Sequence, residues 1–436
     1  MHKKIIALVM VALMLFTIGC QSATQTGTPS DSPKASTSQT AKAEPDTASK
    51  DPILIGAVYP LTGSVAAIGQ NIKKGIEFAV EEINAAGGVK GRPIEIVWGD
   101  SQGDPKVGMS EAERIITTTG IVSVMGCSQS AVTEVVSQVA EKYEIPMVTA
   151  ISTASALSTH GYEYFFRLCP TNMTFLKSMM YGARDIAAKN NYNIKTVGVI
   201  ADNTLMGQET LKWAKYWSKE LGWNVITEVL HTTGAADLTS EVLTIKNANP
   251  DLLVGDSYVA DAILWTKTMN EQGYKPNIFV CKATGYIDPT FIPNAGGAAN
   301  GIFTATEWAA DMSKGSETNK AFKEKYGINM NGHSAEAYTV LWIFKTAMEN
   351  ATAIERGPIR EALATLKVED RFPGGGEIIL PYNTIEFTTT DIEGVTHTNG
   401  NQHALTTVAQ IQDGNYVTVW PFDVTDNKVQ FPPSYK

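Results

Sequence analysis

From Ile53 onward, short apolar runs alternate with stretches of helical period. That alternation restricts the fold more than any other feature of the chain. Residues 53–58 form an apolar run between Pro52 and Pro60. Ile72, Ile76, Ala79, Val80 and Ile83 then recur at helical spacing, and Gly87-Gly88 stops that helix where positive φ is needed. Further strands are expected at 94–98, 121–125 and 146–150, with helices around Ala112, Ile115 and Ile116 and over 132–143. Strands and helices in strict succession imply a parallel sheet covered by helices.

The pattern then restarts. Helices are expected at 171–188, 205–221, 238–245 and 260–272, and strands at 196–200, 225–230, 252–255, 278–281 and 301–306. Three helical patterns fill 316–366, and 377–387, 405–411 and 416–420 read as closing strands that complete both sheets.

The first fifty residues belong to neither unit. His2, Lys3 and Lys4 precede an apolar stretch over 5–18, which is shorter than the roughly 20 residues a membrane span needs. It reads as a secretory signal over 1–19. Gly19-Cys20 ends it as a lipoprotein processing site would, making Cys20 the lipid attachment point; Thr17 stands where such sites usually carry Leu. Residues 21–50 lack Val, Leu, Ile, Met and aromatics, and twelve of them are Ser or Thr. Such a segment cannot offset its ordering entropy by burial, so 20–50 reads as a disordered tether.

Charge follows the same division. The net −10 resolves into +2 for the signal, zero for the tether and −12 for residues 51–436. An acidic body argues against a nucleic-acid surface, which needs a basic stripe. Four cysteines exclude a disulfide scaffold. Cys127, Cys169 and Cys281 lie in or beside apolar strands and read as buried thiols, with a disulfide between two of them left open.

Catalytic and cofactor motifs are missing. The chain has no Cys-x-x-Cys, no His-Glu-x-x-His, no Gly-x-Ser-x-Gly and no phosphate loop. No cofactor or metal is expected. Gly374-Gly375-Gly376 precedes a strand and reads as a turn, and His397 and His403 fall in a polar loop without a third ligand.

What remains is a set of hydroxyl and aromatic residues at strand ends, where open α/β sheets bind ligands. Ser128 follows the third strand and either caps the next helix or offers its hydroxyl to a carboxylate. Ile151 and Thr153 follow the fourth strand, with the same two readings. Tyr258 follows the strand ending near Asp256, and either closes over a ligand or decorates a surface helix.

Gly56 through Pro60-Leu61-Thr62-Gly63, the stretch Asn84-Ala85-Ala86-Gly87-Gly88-Val89-Lys90-Gly91, and the later Asp104-Pro105-Lys106 resemble the leucine/isoleucine/valine-binding protein family. These are extracytoplasmic binding components of ABC importers. The resemblance covers most of 52–420. It implies a type I fold: two Rossmann-like lobes joined by three crossovers, with lobe 1 at 51–170 and 306–404 and lobe 2 at 171–305 and 405–436. It implies a monomer that binds a small solute in the cleft, delivers it to a membrane permease, and is not an enzyme. By the same resemblance, Ser128, Ile151 and Thr153 would fix a ligand's α-carboxylate and ammonium, and Tyr258 would face them.

The departures are specific. Ile68 and Met206 stand where the family often has aromatics. The acid that pairs with a ligand ammonium would fall near Ala283 or Thr284, and neither is acidic. Either Asp202 or Asp256 takes that role, or the ligand has no ammonium. Cys127 matches half of a disulfide found in some members, but Gly103 stands at the other half. A neutral, branched-chain amino acid is the first expectation. An amide, a urea-like compound, a small aromatic acid, or presentation of a ligand to a sensory partner are alternatives. A secreted hydrolase is disfavoured by the missing nucleophile–base motif.

Overall fold

The computed structural model describes residues 51–433; the segments expected as export signal and tether, with Cys20, fall outside the described residues. Five strands open the fold: β1 (Ile53–Tyr59), β2 (Ile94–Asp100), β3 (Ser123–Gly126), β4 (Met147–Thr149) and β5 (Phe165–Arg167). Helices α1 (Ala66–Ala85), α2 (Pro105–Thr118) and α3 (Ser130–Lys142) separate the first four. The strands pair in parallel in the order β2-β1-β3-β4-β5. β1 buries every residue except Leu54, so it is apolar without alternation, as a strand covered on both faces must be. α1 buries Ile68, Ile72, Ile76, Ala79 and Ile83 along one stripe. Asp104 caps α2 by accepting from the Lys106 and Val107 amides, with Pro105 in the first turn.

The second unit repeats this design. Helix α4 (Asn172–Lys189) leads into β6 (Thr196–Asp202), α5 (Leu205–Glu220), β7 (Asn224–His231), α6 (Thr239–Ala248) and β8 (Leu252–Asp256). Then come α7 (Val259–Glu271), β9 (Phe279–Lys282), the short α8 (Ala283–Tyr286) and α9 (Phe291–Ala295), and β10 (Phe303–Thr306). The parallel order is β7-β6-β8-β9-β10, the same permutation as in the first sheet.

The chain then returns. Helices α10 (Ser316–Tyr326), α11 (Gly332–Asn350) and α12 (Arg356–Ala364) cover the first sheet. Tyr338, Leu341 and Ile343 share a core with Ile55, Ile72 and Ile76. α11 is buried on every face from Gly332 to Met348, a helix sunk into the lobe rather than laid upon it. Strands β11 (Lys367–Glu369), β12 (Thr384–Ile392) and β13 (Val395–Asn401) extend the first sheet, β13 lying parallel to β5 and antiparallel to β12. Strands β14 (Thr407–Gln412) and β15 (Asn415–Trp420) add antiparallel edges beyond β10. Among the described residues this gives sheets of eight and seven strands, each flanked by helices, and three passages of the chain between the two lobes.

Two expectations need correction. The strand expected at 377–387 begins at Thr384; before it, Arg371 and Glu377 form only an isolated bridge around the turn at Gly374 and Gly375, where φ is +90° and +127°. His397 lies in β13, not in a loop, and is 2% exposed. The polar run Val395–Asn401 has no alternating apolar face, so its backbone pairing left no trace in side-chain period. β5, β11 and the short helices α8 and α9 were not expected either. Cys127, Cys169 and Cys281 are free and buried.

Candidate ligand-binding cleft

The strand order reverses beside β1 in one sheet and beside β6 in the other. Crevices open outside the carboxyl ends of strands at such points. Here the ends of both sheets surround one narrow cavity. Ile68, Ser128, Ile151 and Thr153 line it from the first lobe, and Met206, Tyr258 and Thr284 from the second. The structure therefore brings all seven sequence-predicted candidates to one place. Lys282, Glu307 and His333 complete the lining, and sequence reasoning missed all three.

Ser128 follows β3. Gln129 is the residue that precedes α3 as its cap, so the Ser128 hydroxyl is not spent on the helix. That hydroxyl is buried and has no hydrogen-bond partner among the described residues. The loop after β4 is pinned from below by Arg167 of β5, which is 1% exposed. Its guanidinium donates to Ser158 Oγ and Ala154 O, each at 2.7 Å, and to Ser152 O. Ser152 Oγ donates to Cys127 O at 2.7 Å, tying the two ligand-facing loops together. Thr153 precedes the 3-10 turn at Ser155–Ser158 without capping it; its Oγ1 instead accepts from Lys282 Nζ across the cleft.

On the second lobe, Met206 sits in the first turn of α5. Gly207 lets that turn lie against the end of β6, because a Cβ there would stand 1.9 Å from Asp202 O. Tyr258 begins α7 and is buried, which removes the surface-helix reading. Asp256, at the end of β8, accepts from Thr210 Oγ1 at 2.6 Å and from Thr284 Oγ1 at 2.8 Å. Lys282, at the end of β9, lies 3.7 Å from Asp256, with both side chains sealed from solvent.

Charge is crowded here. Burial, and then the neighbouring Asp256, push the Asp202 carboxyl up to about 7. Burial pushes Glu307 up to about 7 as well, with Lys282 pulling the other way. Burial, reinforced by Lys282, lowers His333 to about 4 and keeps its ring neutral at pH 7. The Tyr258 phenol is raised by burial and then by Asp202 and Asp256.

Further contacts hold the lobes together over the cavity. Asn71 Nδ2 donates to Asp288 Oδ2 at 3.1 Å, and Asn331 Nδ2 to Ile287 O at 3.3 Å. Glu209 of α5 accepts from the Ser155 and Ala156 amides at 2.6 and 3.0 Å. Lys282 and Glu307 had a readable signal: each is the charged residue that closes or follows an apolar strand, the same rule that selected Ser128. His333 lies on α11, which no strand-end rule reaches.

A family profile described as periplasmic binding protein matches residues 52–412. The chain belongs to the periplasmic binding protein family. Within that family the chain is similar to leucine/isoleucine/valine-binding proteins. Leu/Ile/Val-binding protein homolog 7 of Brucella suis is 28% identical over 394 residues, covering 87% of this chain and 94% of the relative. Homolog 8 of Brucella abortus is also 28% identical, over 398 residues, with 88% and 94% covered. A leucine-binding protein of Thermotoga maritima superposes with a TM-score of 0.69 at 22% identity, over 85% of this chain and 99% of that one. The substrate-binding protein of a branched-chain amino acid transporter from Streptococcus pneumoniae, solved with isoleucine, gives 0.71 at 22% identity, over 84% and 99%. These structures share the two-lobed fold. Membership of this family implies an extracytoplasmic binding protein.

Proposed function

We propose that this chain is the substrate-binding component of an ABC importer. In this reading Cys20 carries the lipid anchor, 20–50 is the tether, and residues 51–170 with 306–404 and 171–305 with 405–436 are lobes that close as a monomer on a neutral amino acid, a branched-chain one first. The observation that carries it is the convergence of Ser128, Ile151, Thr153 and Tyr258 on one enclosed cavity between the sheet ends. A buried, unpartnered hydroxyl at Ser128 and the backbone after β4 suit a carboxylate. Ile68 and Met206 supply an apolar wall for a short side chain.

Lys282 favours a second reading, a small carboxylic acid without an ammonium, because it brings a fixed cation into the cavity. A thermal-shift screen over amino acids, amides and aromatic acids tests both, since a solute that binds only the folded form raises its melting temperature. Stabilisation by neutral amino acids supports the first reading; stabilisation by acids alone supports the second. No shift with any small solute, together with turnover of an ester or amide, would overturn the binding-protein reading.

A further inference from the structure

Three carboxylates, Asp202, Asp256 and Glu307, cluster around Lys282 at the cleft. They are not equivalent. Asp256 is occupied, with one oxygen taken by Thr284, the other by Thr210, and Lys282 alongside. Asp202 accepts from Thr204 on one oxygen, leaves Oδ2 unpartnered among the described residues, and does not line the cavity. Glu307 lines the cavity itself, is 2% exposed, and has an oxygen, Oε2, with no hydrogen-bond partner among the described residues. Space for that oxygen is built in: a Cβ on Gly332, the first residue of α11, would stand 2.4 Å from it. Lys282 is committed on two sides, to Asp256 and to Thr153 of the opposite lobe. It therefore acts as a structural counter-ion. Asp202 Oδ2 and both Glu336 carboxylate oxygens are also unpartnered among the described residues, but neither residue lines the cavity; Glu307 is the acid that combines a free oxygen with a place on the cavity wall.

We infer that Glu307 is the group that pairs with the ligand's ammonium, in place of the acid missing at 283 and 284, and that it selects amine-bearing solutes over their deaminated counterparts. The inference rests on the amino-acid reading above. A buried carboxylate without a partner is costly, and an ammonium delivered beside it offsets that cost and its own desolvation together. The ligand's carboxylate then falls to Ser128 and the Ile151–Thr153 loop, so the two charged ends are fixed from different elements.

Proton linkage follows. The groups facing Glu307 are Lys282 from β9, His333 and Glu336 from α11, Cys169 from the first passage between lobes, and Tyr382. Burial holds the Glu307 carboxyl at about 7. An arriving ammonium favours its ionised form. Below that value the site must release a proton on binding, so affinity falls by up to about tenfold per pH unit as pH drops, and levels off above it.

The test is calorimetry on the full chain and its Glu307→Gln variant with the neutral L-amino acids. Each is titrated beside its analogue carrying hydrogen in place of the ammonium, such as 4-methylpentanoate for leucine. The native protein is expected to prefer the amino acid and to bind it more tightly from pH 5.5 to 8. Glu307→Gln is expected to weaken the amino acid by about 10- to 100-fold, leave the analogue as tight or tighter, and flatten the pH profile. Its ligand-free melting temperature should be no lower than native, because a buried acid with one oxygen unpartnered is removed, and this separates lost recognition from lost folding. Native-like affinity and pH dependence in the variant would overturn the inference. So would a native preference for the deaminated analogue, which leaves the binding-protein reading standing. Failure of every small solute to bind the native protein would overturn that reading instead.

Discussion

Ser128 and Asp256 mark opposite situations for a buried polar group. The Ser128 hydroxyl has nothing to hold, so Ser128→Ala should leave the ligand-free melting temperature unchanged while weakening a carboxylate ligand about 10- to 150-fold by calorimetry, the loss of a hydrogen bond to a charge of about 1.5–3 kcal/mol. Asp256 is already engaged. Asp256→Ala leaves Lys282 buried without its counter-charge and should cost about 3–5 kcal/mol in urea unfolding. Adding Lys282→Met should recover most of that loss, and an additive double variant would show that the pair is not coupled. At this scale the sequence was legible where a hydroxyl followed an apolar strand, as at Ser128 and Thr153. It was equally open at Lys282 and Glu307, two charges directly after strands whose positions were readable. The Asp256–Lys282 pairing itself lay beyond reach, since it depends on the placement of β8 beside β9.

At the scale of elements, close backbone approach decides what can be changed. α5 starts directly on the end of β6, with no room for a methyl group at Gly207. Gly207→Ala should displace the turn that carries Met206 and destabilise the second lobe by about 2 kcal/mol or more, read as a lower melting temperature with ligand affinity falling in parallel. A native melting temperature in this variant would show that the α5 turn can yield. Most helices and strands up to β10 were legible because they are apolar runs or stripes; β5, α8 and α9, of three to five residues, were too short to register. β13 was not. It is polar, it joins the sheet between β5 and β12 through its backbone, and its one deeply buried ring, His397, looked like a loop residue. β11 is three residues long, too short for any period to register.

For the whole molecule, closure is held by groups outside the cavity as well as within it. Glu209 receives two amides from the opposite lobe, each bond to a charged acceptor contributing about 1.5–3 kcal/mol. Glu209→Ala should shift the open–closed balance toward the open form and weaken any ligand by about tenfold or more without touching it. Small-angle scattering should then show a larger radius of gyration without ligand, recovered at saturation; an unchanged radius and affinity would show that this contact persists in both states. The two-lobed plan was legible from the restart of the βα pattern after residue 170, and the return of the chain from the helices over 316–366. The interleaving also sets an order of events during synthesis. The first sheet needs β13, which leaves the ribosome only after β6 to β10 have been made. The lobe begun first is thus finished late, its β5 edge waiting through more than two hundred residues of nascent chain. A polypeptide with that schedule suits export before folding, because a truncated chain still on the ribosome cannot complete either half.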